Sequence, residues 1–233
     1  MRRFSIWRVE NIRWIIRHRA WTPFYLIRYL RFLRYHWFGP KGVVFTGFVF
    51  LGKGVELTVR RGFGRIVIEP WVHIGDHNRI RAHEGTVTIG TKSVLGRDNT
   101  INAYLHVSLG AECVISDSIY ICDFDHRIED LGVPIRKQGI VKSPVVIESD
   151  VWIGTKATIL RGARIEHGAV IGAHSVVKWV IPQLTVAVGV PARVVRSRTE
   201  DSERTRSLRE HQEYIAAQVR EAMSDYSDQP PTG

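Results

Sequence analysis

His126 is the residue of this 233-residue chain whose type and setting best suit chemistry. It stands in Cys122-Asp-Phe-Asp-His-Arg127, with Asp123, Asp125 and Glu129 near it in sequence. A histidine titrating near neutrality can take the proton of an attacking hydroxyl, and a carboxylate or carbonyl on its other ring nitrogen fixes the tautomer. A loop histidine is more often simply solvated, so residue type alone does not assign the role. A second set lies downstream in Lys178, Arg193 and Arg196. Isolated basic residues are usually hydrated surface, but three that converge can bind phosphates, arginine bidentately and lysine as a point charge. Asn102 and Asp123 supply groups that can hydrogen-bond the hydroxyls of an acceptor.

The elements that must position these residues are announced by a beat of six. Ile147, Ile153, Ile159, Ile165, Ile171 and Val177 recur every six residues, and the slim residues Val151, Ala157, Ala163, Ala169 and Ser175 follow the first five at four. A helix repeats near 3.6 and a flat strand at 2. Six suits a chain that turns a corner after each short strand, with β-branched residues pointing inward and small residues in the corners. Such self-similarity predicts a β-solenoid whose coils must stack to bury a core. The beat starts at Ile68, Ile74 and Ile80, takes a nine-residue step around Ala82–Gly85, and resumes as Ile89, Leu95, Ile101, Val107, Cys113 and Ile119. Asn78, Ser93, Asn99 and Ala111 fall at the expected corners. Upstream, from Val43 to Val67, it is irregular, with short strands expected at Val43–Phe45 and Glu56–Val59. It breaks again at 123–146, a polar loop of a length that inside a repeat array is more often functional than not. His73 and His77 have the spacing of a helical metal pair, but on a β-coil that geometry is absent. Cys113 is expected in the core and not as a nucleophile.

Three motifs then resemble a known family. Asp150-Val-Trp-Ile-Gly154, Gly168-Ala-Val-Ile-Gly-Ala-His-Ser-Val-Val177 and Val188-Gly-Val-Pro-Ala-Arg193 are similar to the hexapeptide-repeat acyltransferases, in particular the maltose/galactoside and polysaccharide O-acetyltransferase branch. The likeness covers about residues 66–196, and three motifs in order are far more specific than one. It implies a mainly β fold, a left-handed parallel β-helix of triangular section. It implies that His126 is the general base, that Trp152 lines the cleft near it, and that Thr155 and Ala173 lie along the pantetheine arm of acetyl-CoA. By the same resemblance Lys178, Arg193 and Arg196 meet the nucleotide phosphates. Where relatives commonly carry Thr-Lys before Ile-Pro, this chain has Lys178-Trp179, so Trp179 either stacks on adenine or merely packs. The same solenoid serves a zinc carbonic anhydrase, but no second histidine stands a few residues from His126, so no metal is expected. The expected reaction is transfer of an acyl group, an acetyl by preference, from acyl-CoA to a sugar hydroxyl of a glycan or glycolipid precursor. The rivals are an amino-sugar N-acyltransferase and a non-catalytic scaffold. The resemblance also implies a homotrimer with the cleft between subunits.

Composition bounds the rest. The chain is 44% hydrophobic and 24% charged, with a net charge of +10, which invites anionic partners. Two cysteines make no disulfide framework and fit a reducing cytoplasm. Residues 1–40 hold nine arginines against one acid, Glu10, with interleaved aromatics. No nucleic-acid motif accompanies that charge, so nucleic acid is not an expected partner. Thr22-Pro23 reads as a helix start, Leu26, Leu30, Leu33 and Trp37 as an apolar stripe, and Gly39-Pro40 as its end. The segment's longest uncharged run, Ala20–Ile27, is too short to span a bilayer. It is expected either to rest on an anionic membrane surface or to cover the open first coil. Residues 41–196 form the expected solenoid domain, 197–223 a C-terminal helix and 224–233 a disordered tail.

Overall fold

The computed structural model describes residues 16–17, 22–200, 202–203, 206–208 and 210–213. Most of the expected basic segment before Thr22, and the C-terminal helix beyond residue 213 with its tail, lie outside these residues. The chain forms two compact units, Met1–Val195 and Arg196–Gly233. In the second, the described residues between 202 and 213 are helical.

The first unit is a stack of triangular coils. Each coil contributes one short strand to each of three sheets, of seven, eight and six strands, and strands of successive coils pair in parallel. The inward residues form ladders that follow the register. In the first sheet Ile68 pairs with Ile89, Ile89 with Leu109, Leu109 with Ile147, Ile147 with Ile165 and Ile165 with Ile181. Leu95–Ile115–Ile153–Ile171 and Ile80–Ile101–Ile121–Ile159–Val177 do the same in the second and third sheets. All are fully or almost fully buried. Coils begin earlier than the clear beat: Val43–Phe45, Phe50–Leu51 and Glu56–Val59 already supply one strand to each sheet.

The register corrects the phase of one coil. Leu109, Ile115 and Ile121 are the equivalents of Ile89, Leu95 and Ile101, so Val107, Cys113 and Ile119 each stand two residues early. Cys113 and Ile119 occupy the corner sites that Ser93 and Asn99 fill in the coil below. Residues i and i+2 of a strand share a face, so both sets are inward and both are buried, and hydrophobicity could not distinguish them. Cys113 is in the core as expected, and burial pushes its thiol pKa up.

The corners explain the small residues of the beat. Left-handed backbone occurs at Lys92, Asp98, Asp150, Lys156 and His174, each directly before a corner residue. Buried polar corners bind neighbouring coils together. Asn78 donates to the carbonyls of Gly75 and Gly96, and Ser93 Oγ donates to Gly110 O and accepts from the N–H of Cys113.

One helix, α1 (Pro23–Phe38), lies against the start of the stack and ends at Gly39 as expected. Thr22 makes no side-chain cap. Its inner face is aromatic: Phe32 is buried against Phe45 and Phe48, Tyr29 and Tyr25 meet Phe50, and the Tyr35 hydroxyl donates to Val55 O at 2.5 Å. The predicted stripe points mainly the other way, with Leu26, Leu30 and Trp37 exposed. The helix covers the first coil, but with a different face from the one the spacing suggested. No helix among the described residues is long and apolar enough to cross a membrane.

Candidate active site

The coil of residues 106–122 leaves the prism at the edge between the third and first sheets and returns at Val145. The excursion is structured at its base. Phe124–His126 pairs antiparallel with Ile140–Lys142, His126 opposite Ile140. A buried carboxylate anchors it: Asp123 is wholly inaccessible and accepts from the backbone N–H groups of Tyr104, Leu105 and His106 at 2.7–2.8 Å. Burying an ionised carboxylate is tolerable only with such compensation. Asp123 therefore fastens the hairpin to the corner below it, and its oxygens are already engaged, which corrects its assignment to an acceptor hydroxyl.

Three residues beyond the anchor, His126 is exposed and its imidazole has no hydrogen-bond partner among the described residues. Phe124 stands edge-on to it with ring centres 6.4 Å apart, and Tyr104 follows at 4.5 Å from Phe124 and stacks on His83 at 4.6 Å. Asp125, the nearest carboxylate in sequence, is paired with Arg161 at 2.8 Å. Lys142 bonds Glu84 at 2.7 Å, which lowers the Glu84 pKa, first through that hydrogen bond. His83, Tyr104, the hairpin and Arg161 thus occupy one edge of successive coils. Sequence reading missed Tyr104, Lys142 and Arg161, because only coil stacking makes neighbours of residues so far apart in the chain. Asn102 lies nearby, almost buried; its Nδ2 donates to the Tyr120 hydroxyl at 3.4 Å, while its Oδ1 has no partner among the described residues.

Trp179 belongs to the same edge, at the corner between Val176–Val177 and Val180–Ile181. Lys178 Nζ lies 4.4 Å and the Arg193 guanidinium carbon 4.7 Å from its ring centre. Two of the predicted cations therefore converge on Trp179, whose indole is 40% exposed. Arg196, on the strand Ala192–Ser197, falls in the second unit.

The remaining predicted residues sit elsewhere. Trp152, half exposed, is on the second sheet and donates from Nε1 to Ser116 Oγ at 3.3 Å. Thr155 and Ala173 are exposed at the corner between the second and third sheets, where Thr155 Oγ1 donates to Asp117 O at 2.9 Å. Gly154 lies here because a Cβ would come within 2.6 Å of the Ala173 nitrogen on the next coil. Within one chain, Trp152, Thr155 and Ala173 are not on the edge that carries His126.

Known proteins are similar to this chain in sequence and in fold. Residues 144–178 fit the family "Bacterial transferase hexapeptide (six repeats)". A Mycobacterium tuberculosis protein named as a probable acetyltransferase is 50% identical over 190 residues, covering 82% of this chain and 63% of that protein. An Escherichia coli protein named for O-acetyl transfer in lipopolysaccharide biosynthesis is 33% identical over 109 residues, covering 41% of this chain and 56% of its own length. Another, named for acetyl transfer in colanic acid biosynthesis, is 29% identical over 181 residues, covering 78% and 81%. The chain thus spans less than two thirds of the length of the first two. Two crystal structures of an N-acyltransferase from Bacillus cereus share the fold, with TM-scores of 0.59 and 0.57 at 20% and 21% identity; they cover 76% and 72% of this chain and 95% and 91% of their own. Repeat, fold and relatives agree that this is a parallel β-helix of stacked coils, similar to the hexapeptide-repeat acyltransferases. The likeness extends to proteins named for O-acetyl transfer in lipopolysaccharide biosynthesis and for acetyl transfer in colanic acid biosynthesis.

Proposed function

We propose that the protein transfers an acetyl group from acetyl-CoA to a sugar hydroxyl of a glycan or glycolipid precursor. One observation carries the reading: His126 is presented, exposed and unpartnered, on a hairpin that a buried aspartate fixes to the solenoid. In the proposed step the imidazole takes the acceptor's hydroxyl proton as its oxygen attacks the thioester carbonyl. The tetrahedral oxyanion collapses, the C–S bond breaks, and the thiolate of CoA leaves and recovers the proton from the imidazolium. No acyl-enzyme is required. Lys178, Trp179 and Arg193 are assigned to the adenine nucleotide of CoA, with Arg196 added by its family spacing. Thr155 and Ala173 are assigned to the pantetheine arm and Trp152 and Asn102 to the acceptor. The Bacillus cereus structures, solved with dTDP and with CoA or 3-hydroxybutyryl-CoA, support an acyl-CoA donor. Their N-acyltransferase description also favours a second reading, an amino-sugar acceptor, in which the same base serves an amine.

We assign a homotrimer, in which the His126 edge of one subunit faces Trp152, Thr155 and Ala173 of the next. We also assign contact of α1 with an anionic membrane surface, where a lipid-linked acceptor is met. The deciding experiment is mass-spectrometric detection of acetylated glycans and glycolipids after incubation with acetyl-CoA. His126→Ala is expected to lower turnover by about 10²–10⁴ with CoA affinity nearly unchanged. A loss under tenfold at saturating substrate would give the base role to another residue.

A further inference from the structure

The C-terminal half of α1 meets the first coil across a cavity of about 460 Å³. Arg31, Arg34 and Phe38 line it from the helix, and Gly54, Val55 and Leu57 from the coil. Its lining combines the apolar Val55, Leu57 and Phe38 with the cationic Arg31 and Arg34. Neither Arg31 nor Arg34 has a hydrogen-bond or ion-pair partner among the described residues. The carboxylate of Asp76 lies in the same field: its pKa is lowered first by the Lys53 N–H and further by Arg28, Arg97 and Arg31. One acid against these arginines leaves the end of the prism positive.

Through Phe38 the cavity borders the exposed apolar side of α1. Phe38 is 82% exposed, Trp37 67% and Leu30 66%, with Leu26 and Ile27 half exposed beside them. These side chains are turned away from the aromatic face that packs on the coil. A water-soluble anion would satisfy the arginines and leave this surface wet. An anionic lipid satisfies both at once.

We propose that the cavity between α1 and the first coil is a headgroup site for an anionic phospholipid, its phosphate taken by Arg31 and Arg34 and its glycerol and upper chains lying over Phe38. This rests on the membrane contact assigned above and gives it a site. Guanidinium groups suit a phosphate because they offer paired donors in one plane, which an ammonium does not. Leu30 and Trp37 enter the interface beside the bound lipid. The site lies on the coil that starts the stack, and His126 is on a later coil of the same prism, so a bound membrane lies at one end and the hairpin above it.

The test is co-sedimentation of the full chain with phosphatidylcholine vesicles, with and without phosphatidylglycerol, at low salt. The wild type is expected to bind the anionic vesicles. The double substitution Arg31→Lys/Arg34→Lys keeps the charge and loses the paired donors. It is expected to weaken binding by at least about fivefold. Arg61→Gln/Arg65→Gln removes two charges from another part of the prism and is expected to change binding less than about twofold. If the lysine variant binds as the wild type does, the headgroup site is wrong and only diffuse membrane attraction stands. If the wild type ignores anionic vesicles, the membrane contact itself is wrong. Inorganic phosphate supplies a further arm. Competition by millimolar phosphate as effective as that of a short-chain phosphatidylglycerol below its micelle concentration would overturn the lipid assignment in favour of a soluble anion. Acetylation of a soluble acceptor is expected to be unchanged in all three proteins.

Discussion

Asp123 shows how a residue three positions from the proposed base contributes without touching substrate. Its two oxygens take three backbone N–H groups of the 104–106 corner. Asp123→Asn puts an NH₂ where at least one donor points and leaves a buried N–H unpaired. Hydrogen bonds to a charged group are worth about 1.5–3 kcal/mol each, so the variant is expected to lose about 3 kcal/mol in urea unfolding. Its turnover is expected to fall with CoA affinity preserved, because the hairpin that carries His126 is loosened while Trp179 and Arg193 are held by later coils. An unchanged urea midpoint would show that the corner does not depend on this carboxylate. The cysteines make the opposite point. Burial raises the thiol pKa of both Cys113 and Cys122, which keeps them poor nucleophiles.

At the scale of the element, α1 is unusual in being apolar on two sides. The inner side, centred on Phe32, satisfies the exposed start of the first coil; the outer side has no partner within the described chain. Only the inner side is needed for folding. Phe32→Ala is expected to cost about 3–5 kcal/mol locally, the usual range for a buried phenylalanine. In a stack where each coil touches only its neighbours, the damage should stay near the end. Hydrogen exchange is expected to speed up in α1 and in Val43–Phe45 and Phe50–Leu51, and to stay slow in Trp152–Ile153 and Val170–Ile171. Uniform acceleration over all coils would show that the solenoid unfolds as one unit and that the helix is more than a local cover. Leu30→Ser, on the outer side, should leave this exchange pattern untouched.

At the scale of the whole molecule, the divided placement of the predicted residues becomes an assembly argument. His126, Tyr104 and Trp179 lie on one edge, while Trp152, Thr155 and Ala173 lie on a sheet and corner away from it. A ring of three chains can bring the two sets together, since a cyclic interface joins different surfaces of neighbouring subunits. His126→Ala and Trp152→Ala should each be inactive alone. Denatured together and refolded as a one-to-one mixture, they are expected to recover about a quarter of wild-type activity, because every mixed trimer then contains one site with both halves intact. No recovery in proven mixed trimers would mean that each chain builds its own site.

The six-residue beat was enough to predict a stacked β-coil, because inward β-branched residues and slim corners leave a mark that neither helix nor flat sheet reproduces. The interruption at 123–146 and His126 were equally visible, since a break in a strict repeat is itself a signal. Local rules also placed the ends of α1, through Pro23 and Gly39-Pro40. Three things waited for the tertiary structure. The phase of residues 107–119 did, because a two-residue slip keeps every side chain on the same face of a strand and only pairing with Ile89, Leu95 and Ile101 settles it. The role of Asp123 did, because the donors it binds lie 17–19 residues back and reach it by coil stacking. The direction of the Leu26/Leu30/Trp37 stripe did too: a helix with two apolar faces can bury either, and the aromatic one won because Phe45, Phe48 and Phe50 offer rings to meet it. Sequence periodicity fixes what a residue is next to along one strand or helix turn; partners from other coils are decided only by how the coils stack.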